Sequence, residues 1–225
     1  MTPITVAEAS TALSLLTGGE EIVAVSGYPH VVAETVSGSR QLAFVKSFQS
    51  GADEWRAEVD VYSSGLLVSL VDGLRAPRLL KVIELEEGEV RLWLEDVVTS
   101  DLAWTPERVI EAAGLLGRMS RLYLNLDADP PLPVRGITDT ELPSSFGHGD
   151  ARRSHFLAEG ADPQRFVLID WAQAGWWPVG SDLASLLGGD NSLEEEAVIA
   201  FSEAGFEPEV VAEGYRQAST APNRV

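Results

Sequence analysis

The sequence of 225 residues contains no cysteine. A disulfide framework, a thiolate metal site and a cysteine nucleophile are therefore excluded. No apolar run reaches the roughly 18 residues that a membrane-spanning helix requires. No basic residue precedes an apolar stretch at the N-terminus, so a secretory signal is not expected. We therefore expect a cytoplasmic protein.

Basic residues are also scarce, because 16 Lys and Arg stand against 35 Asp and Glu and give a net charge of −19. Nucleic acids and anionic membranes bind proteins through Lys and Arg that replace counterions, so neither is an expected partner. A cationic small molecule would be attracted to such a surface, although solubility explains the charge at least as well. The hydrophobic content of 45% is typical of a globular protein.

The first 94 residues predict a small α+β layer. Thr5 begins a short helix with a capping-box pattern, and Gly18-Gly19 ends it. Trp55, Val59 and Tyr62 recur at helical spacing and indicate a second helix. Apolar runs separated by turn signals predict five strands, at 22–25, 31–36, 42–48, 79–85 and 90–94.

From residue 98 onward the pattern is mainly helical. Thr105-Pro106 starts a helix whose apolar stripe reaches Tyr123, and further helices are expected after Ser192 and over 209–217. A proline-rich loop is predicted at 127–133, followed by a loosely structured segment up to the loop of His148. The expected architecture is a β-rich lobe at 1–94, a hinge at 95–97 and a helical lobe at 98–225, with the ligand site in the cleft between the lobes.

Two aspartates in different settings mark the candidate site. Asp150 lies in the loop His148-Gly149-Asp150, and Asp170 follows the apolar run 166–169. Phosphoryl transfer uses such a pair, because one carboxylate orients or deprotonates the acceptor hydroxyl and the other holds magnesium on the nucleotide phosphates. Lys46, in the apolar run 42–48, is a candidate to complete the set. Turn-forming or capping aspartates and an edge-strand lysine are the alternative interpretations.

Several short motifs in combination make the sequence similar to a known family. They are Lys46, Glu58 with Tyr62, Leu94-Glu95-Asp96, His148-Gly149-Asp150, Ile169-Asp170-Trp171 and Asp182-Leu183-Ala184. Through them the sequence resembles the aminoglycoside phosphotransferase and choline kinase-type family of small-molecule kinases. The resemblance implies an α+β, protein-kinase-like fold of two lobes, with an antiparallel sheet and a helix in the first lobe and a mainly helical second lobe.

The resemblance also implies how ATP is bound. Lys46, held by Glu58 on the following helix, would contact the α- and β-phosphates, and Glu54 is the alternative partner of this lysine. Backbone groups of the hinge residues Glu95, Asp96 and Val97 would meet the adenine.

For catalysis, the resemblance implies that Asp150 orients the acceptor hydroxyl and that Asp170 binds magnesium. Carboxylates are weak bases toward alcohols, so we expect positioning to matter more than proton abstraction. Arg152 would hold the transferred phosphate and stabilise its developing charge, with a plain surface arginine as the alternative. Asp182 would brace the catalytic loop.

The sequence departs from the family at His155, where the family has an Asn that supplies a second metal contact. Magnesium prefers oxygen ligands, whereas imidazole suits zinc, nickel or copper. Three interpretations are open: His155 hydrogen-bonds Asp150 without touching metal, it accepts a different metal, or the site has lost activity.

The predicted function is an ATP- and magnesium-dependent phosphotransferase acting on a hydroxyl of a small molecule. A cationic aminoglycoside or amino alcohol suits the negative charge. The alternative is a pseudokinase-like binding module with impaired catalysis. His155 and the 43 residues that follow Asp182 in the chain of 225 favour this alternative, because so short a segment indicates a reduced acceptor pocket or a truncated chain.

Overall fold

The computed structural model describes residues 2–49, 53–97, 99–100, 103–124, 140–159 and 162–220. The predicted proline-rich loop at 127–133 and the side chains of Glu54 and Trp55 lie outside this description. No helix within the described ranges is long and apolar enough to cross a membrane.

The first part of the chain builds an antiparallel sheet with two helices. In chain order its elements are α1 (Val6–Leu13), β1 (Ile22–Ser26), β2 (His30–Thr35), β3 (Arg40–Gln49), α2 (Asp53–Ser63), β4 (Leu74–Arg75), β5 (Leu79–Glu84) and β6 (Glu89–Glu95). Five strands form one sheet in the order β1-β2-β3-β6-β5, and each neighbouring pair is antiparallel. The five predicted strands and both helices are confirmed.

The described residues of the second part form four α-helices and several short strands. In chain order these are β7 (Thr99–Ser100), α3 (Pro106–Leu122), β8 (Ser144–Gly147), β9 (Phe156–Glu159), β10 (Asp162–Leu168), β11 (Gly175–Pro178), α4 (Asp182–Leu187), α5 (Glu194–Ser202) and α6 (Pro208–Thr220). The helices expected from Thr105-Pro106, after Ser192 and over 209–217 are confirmed as α3, α5 and α6. The α+β fold class is likewise confirmed.

The short strands of the second part are a departure from the sequence prediction. β8 pairs with β11 in a ribbon, and β4, β10, β9 and β7 form a four-stranded sheet. The segment before the His148 loop was expected to be loosely structured, and this expectation is wrong at β8, which is a regular strand. β8 and β11 pair although they are about 30 residues apart in the chain, and an apolar pattern within one short run does not specify such a distant partner.

β4 joins the two parts of the molecule. It lies within the first 94 residues, yet it pairs in parallel with β10 of the second part. Its Arg75 donates hydrogen bonds to Glu95 at the end of β6 (2.9 Å) and to Glu159 at the end of β9 (2.8 Å). One guanidinium therefore ties the end of the first sheet to the second.

Two apolar cores lie on opposite faces of the first sheet. Alternation along β6 sends Trp93 into a core beneath α1, and sends Leu92 and Leu94 into a larger core that continues into the second part. The predicted stripe of α3 is buried in this larger core, through Val109, Ala112, Leu116, Met119 and Tyr123.

Arg91 is a fully buried charge in the first core that the sequence did not reveal. Its guanidinium donates to Glu8 of α1 (2.6 Å) and to Glu89 (2.9 Å), and it also contacts the carbonyl oxygen of Thr2. Glu8 accepts a further hydrogen bond from Trp93 at 3.1 Å. A buried charge is tolerated only when it is paired. Because one partner of Arg91 is Glu8, this cluster connects α1 to the sheet.

Candidate functional site

A cleft of about 390 Å³ lies between the first sheet on one side and β9 and the loop that follows β10 on the other. All six residues that the sequence assigned to nucleotide and first-metal binding line it, namely Lys46, Glu58, Glu95, Asp96, Val97 and Asp170. The other three predicted site residues, Asp150, Arg152 and His155, lie beside it through contacts described below.

Strand alternation along β3 explains why Lys46 points into the cleft. Ala43 and Val45 are fully buried in the core beneath α1. Because successive side chains of a strand point to opposite faces, Phe44 and Lys46 are sent to the other face, and both line the cleft. A lysine in this apolar run is therefore not a solvent-facing edge residue.

Lys46 meets two carboxylates that are distant in the sequence. Its Nζ donates to both oxygens of Glu58, at 2.9 and 2.7 Å, and to Oδ1 of Asp170 at 2.8 Å. The side chain of Glu58 is 1% exposed and that of Asp170 is 43% exposed. The three residues thus converge on one point at the inner end of the cleft.

Burial and charge act in opposite directions on this cluster. Burial alone lowers the pKa of Lys46, but the charges and hydrogen bonds of Glu58 and Asp170 outweigh it and raise that pKa above its ordinary value. For Asp170 the directions are reversed: burial alone raises its pKa, but the hydrogen bond and charge of Lys46 outweigh burial and bring that pKa below its ordinary value. The ammonium and the aspartate are therefore both charged at neutral pH.

The loop that carries Asp150 is held from behind by Asp182. The carboxylate of Asp182 accepts the backbone N–H of His148 at 3.0 Å and that of Gly149 at 2.7 Å. Asp182 stands at the start of α4 and is nearly fully buried. The geometry is that of a brace, as the resemblance implied.

His148 connects the loop of Asp150 to the loop of Asp170. Its Nδ1 accepts the backbone N–H of Asp150 at 3.2 Å, so its Nε2 carries the proton and donates to the carbonyl oxygen of Ile169 at 2.9 Å. Burial lowers the pKa of this imidazole, which therefore stays neutral. Its two ring nitrogens therefore join the two loops.

Arg152 engages the carboxylate of Asp150 directly. Its Nε donates to Oδ1 at 2.7 Å while its side chain remains 56% exposed. The hydrogen bond to Asp150 and the charge of that aspartate raise the pKa of the guanidinium. A permanent positive charge therefore stands at the mouth of the site.

His155 lies between the two aspartates. Its Nδ1 is 2.8 Å from the backbone carbonyl oxygen of Asp150, and its Nε2 is 3.6 Å from Oδ2 of Asp170. Asp170 itself has a φ of 65°, which is uncommon outside glycine, and the buried ring of Trp171 follows it. This backbone turn directs the carboxylate toward Lys46 and His155.

Some residues of the cleft were missed by sequence reasoning. His30 of β2 contacts Asp96 (Nδ1 to Oδ1, 3.0 Å) and packs edge-on against Phe44, with 5.1 Å between ring centroids. Leu157 lines the cleft with them. Phe44 could have been identified from the sequence, because it stands two residues before Lys46 and therefore on the same strand face.

Comparison with known proteins agrees with this geometry. The family model described as phosphotransferase enzyme family (APH) matches residues 23–218. No curated protein sequence matches the chain.

Solved structures of similar fold are distant in sequence. An aminoglycoside phosphotransferase from Alicyclobacillus acidocaldarius has a TM-score of 0.58 at 13% identity, over 88% of this chain and 79% of that one. One from Streptomyces rimosus has 0.53 at 16% identity, over 96% and 99%. The choline kinase LicA from Streptococcus pneumoniae has 0.55 at 14% identity, over 95% and 90%.

At these low identities the solved structures demonstrate only the shared fold, and the match to the family model is what shows that the chain belongs to the family. It covers most of the chain, including both aspartate loops and Lys46. The resemblance read from the motifs is confirmed: this chain belongs to the phosphotransferase enzyme family.

Proposed function

We propose that the chain transfers the γ-phosphate of ATP to a hydroxyl group of a small molecule. The observation that carries this proposal is the convergence of Lys46, Glu58 and Asp170 at the inner end of the cleft, with contacts of 2.7–2.9 Å. Phosphoryl transfer is accelerated almost entirely by positioning and by charge stabilisation, and this cluster supplies both.

The nucleotide would lie along the cleft. Lys46 is fixed by Glu58 and would contact the phosphates, while the hinge at 95–97 offers backbone groups to the base. Phe44 and Leu157 provide apolar surface in the same cleft. Structures of related fold were solved with ADP and streptomycin and with ADP and spectinomycin, at TM-scores of 0.54 and 0.56, which supports nucleotide use here.

The residues present fit a divalent cation. Oδ1 of Asp170 accepts a hydrogen bond from Lys46, Oδ2 lies 3.6 Å from Nε2 of His155, and the side chain is partly exposed to the cleft. Carboxylate oxygens are suitable ligands for magnesium. A cation held here would neutralise charge on the nucleotide phosphates.

Asp150 and Arg152 would act on the acceptor. Asp182 holds the backbone of the preceding Gly149, and His148 accepts the backbone N–H of Asp150 itself, so the Asp150 carboxylate has a fixed place from which to orient a hydroxyl. Arg152 places a guanidinium beside it, where the transferred phosphate would arrive, and a guanidinium binds phosphate oxygens strongly. The cluster thus provides an orienting carboxylate next to a charge-stabilising group.

We propose a cationic acceptor, such as an aminoglycoside or an amino alcohol. The net charge of −19 would attract such a molecule. The related structures carry the names of aminoglycoside and choline kinases, which supports the same class of acceptor for this chain.

ATP turnover tests the proposal. The purified chain is incubated with ATP, magnesium or manganese, and a panel of aminoglycosides and amino alcohols, and ADP release is measured. Acceptor-dependent release that is lost in Asp150→Asn is the expected result. Nucleotide-dependent thermal stabilisation without turnover for any acceptor would instead indicate the pseudokinase-like binding module.

A further inference from the structure

The imidazole of His155 has one nitrogen committed and one available. A carbonyl oxygen can only accept a hydrogen bond, so the 2.8 Å contact with the carbonyl of Asp150 requires the proton on Nδ1. In the neutral ring Nε2 then carries a lone pair. Its distance of 3.6 Å from Oδ2 of Asp170 is too long for a hydrogen bond, so no proton is needed on Nε2.

The two carboxylate oxygens of Asp170 likewise face different partners. Its Oδ1 accepts from Lys46 at 2.8 Å, which leaves Oδ2 on the side of His155. Two ligands that share one ion at about 2.1 Å lie roughly 3.0–3.5 Å apart for angles between octahedral and tetrahedral. The observed 3.6 Å between Nε2 and Oδ2 is close to this separation.

We propose that His155 and Asp170 form a mixed nitrogen–oxygen metal site that prefers a divalent transition-metal ion, such as Mn²⁺ or Co²⁺, over Mg²⁺. This inference rests on the proposed function, because nucleotide phosphates complete the site. Magnesium requires near-ideal octahedral oxygen ligation, whereas imidazole favours transition ions. A histidine at this position therefore shifts the metal preference and leaves the nucleotide site intact.

The site depends on bound nucleotide. Among the side chains that the structure describes, no group of three or more His, Cys, Asp or Glu residues could hold a metal ion. His155 and Asp170 thus supply two ligands, and the remaining positions fall to phosphate oxygens and water. Metal affinity is expected to be weak for the protein alone and strong for its nucleotide complex.

Competition between metals tests the proposal. Binding of Mn²⁺ to the protein with a non-hydrolysable ATP analogue is followed by electron paramagnetic resonance, and Mg²⁺ is titrated as competitor. The ratio of Mg²⁺ to Mn²⁺ dissociation constants is compared between the wild type and His155→Asn, with the free analogue as reference. Loss of the nitrogen ligand should lower the ratio by about ten-fold.

The outcomes separate this inference from the proposed function. Equal ratios in the two proteins, with the analogue bound to both, would overturn the metal preference alone. Failure of the analogue to bind the wild type, as measured by calorimetry, would overturn both.

A second measurement needs no variant. The chain has three histidines, and His148 has both ring nitrogens engaged by the backbone. Electron spin echo spectroscopy of the wild-type Mn²⁺–analogue complex, prepared with and without ¹⁵N-labelled histidine, should reveal one directly bound imidazole nitrogen. Absence of an isotope-sensitive coupling would overturn the proposal even if His155→Asn fails to fold.

Discussion

Gly149 and Gln173 approach so closely that no side chain fits between them. A Cβ atom on Gly149 would lie 2.1 Å from the carbonyl oxygen of Gln173 and 2.7 Å from Nε1 of Trp177. Gly149 also has a φ of 78°, a conformation that side chains other than glycine adopt at a cost. The backbone of the Asp150 loop thus packs directly on the turn that follows Asp170, and this contact sets the spacing of the two aspartates.

We expect Gly149→Ala to destabilise the protein by more than about 2 kcal/mol, because a backbone clash adds to the strain of a positive φ. Gly38→Ala is the matched control, since Gly38 has a φ of 84° and nothing within 4 Å of its added Cβ. The free energy of unfolding in urea is measured for both. Similar losses of unfolding free energy in the two variants would show that the close approach to Gln173 does not contribute to stability.

Lys46→Met should weaken ATP binding and lower the free energy of unfolding of the protein. The substitution leaves Glu58 buried without a cation, at a cost of about 3 kcal/mol. Burial raises the pKa of Glu58, and with Lys46 gone its folded-state pKa should rise further. A group with a raised folded pKa stabilises at low pH and loses that contribution as pH rises, so the variant's deficit should grow with pH.

The double variant Lys46→Met/Glu58→Gln separates stability from binding. Removing the buried carboxylate charge should restore part of the free energy of unfolding, whereas the nucleotide-dependent thermal shift should stay absent. Restored nucleotide binding in the double variant would contradict the proposed role of Lys46.

Arg152→Gln should impair turnover and spare stability. Its ion pair with Asp150 is exposed on the arginine side, so its contribution to stability is less than about 1 kcal/mol. A charge that stabilises the transferred phosphate contributes about 100-fold to turnover. Arg216→Gln is the control, because Arg216 is 61% exposed and ion-paired with Glu213 on α6. Equal turnover in the two variants would show that Arg152 is a surface residue without a role in phosphate transfer.

The stability of the protein should fall in mild acid through His148. Burial sets the folded-state pKa of this imidazole below the ordinary value of 6.5. The unfolded chain therefore binds the proton first, and stability present above pH 6.5 is lost as pH falls toward the folded pKa, by at most about 1.4 kcal/mol per unit. Urea unfolding at pH 7 and 5.5 should show a smaller difference for His148→Gln than for the wild type.

Arg91→Met should be among the most destabilising substitutions outside the cleft. It removes the cation shared by Glu8 and Glu89 in a buried cluster, for which about 3–5 kcal/mol is expected. The triple variant with Glu8→Gln and Glu89→Gln should recover much of the loss in thermal unfolding. If the single substitution alone proved neutral, the cluster would not hold α1 to the sheet.

The two aspartate loops, Lys46 and Glu58 could be predicted because their short motifs, taken together, resemble those of a known family. Asp150 stands in a glycine loop, Asp170 ends an apolar run, and Glu58 occupies a helical position shortly after the strand of Lys46. No such signal indicated how the short strands of the second part pair, that Arg91 is buried, or that His30 contacts Asp96. Their partners lie many positions away in the sequence.

The amino-acid sequence by itself determined the α+β class, because local periodicity indicates the helices and strands. Its motifs, through their resemblance to a known family, also indicated the family and the charged residues that meet in the cleft. Only the tertiary structure decided which nitrogen of His155 is available and which oxygen of Asp170 it faces. Those answers depend on distances of 2.8 and 3.6 Å between residues on separate loops. Chain folding sets such distances, and no local pattern records them.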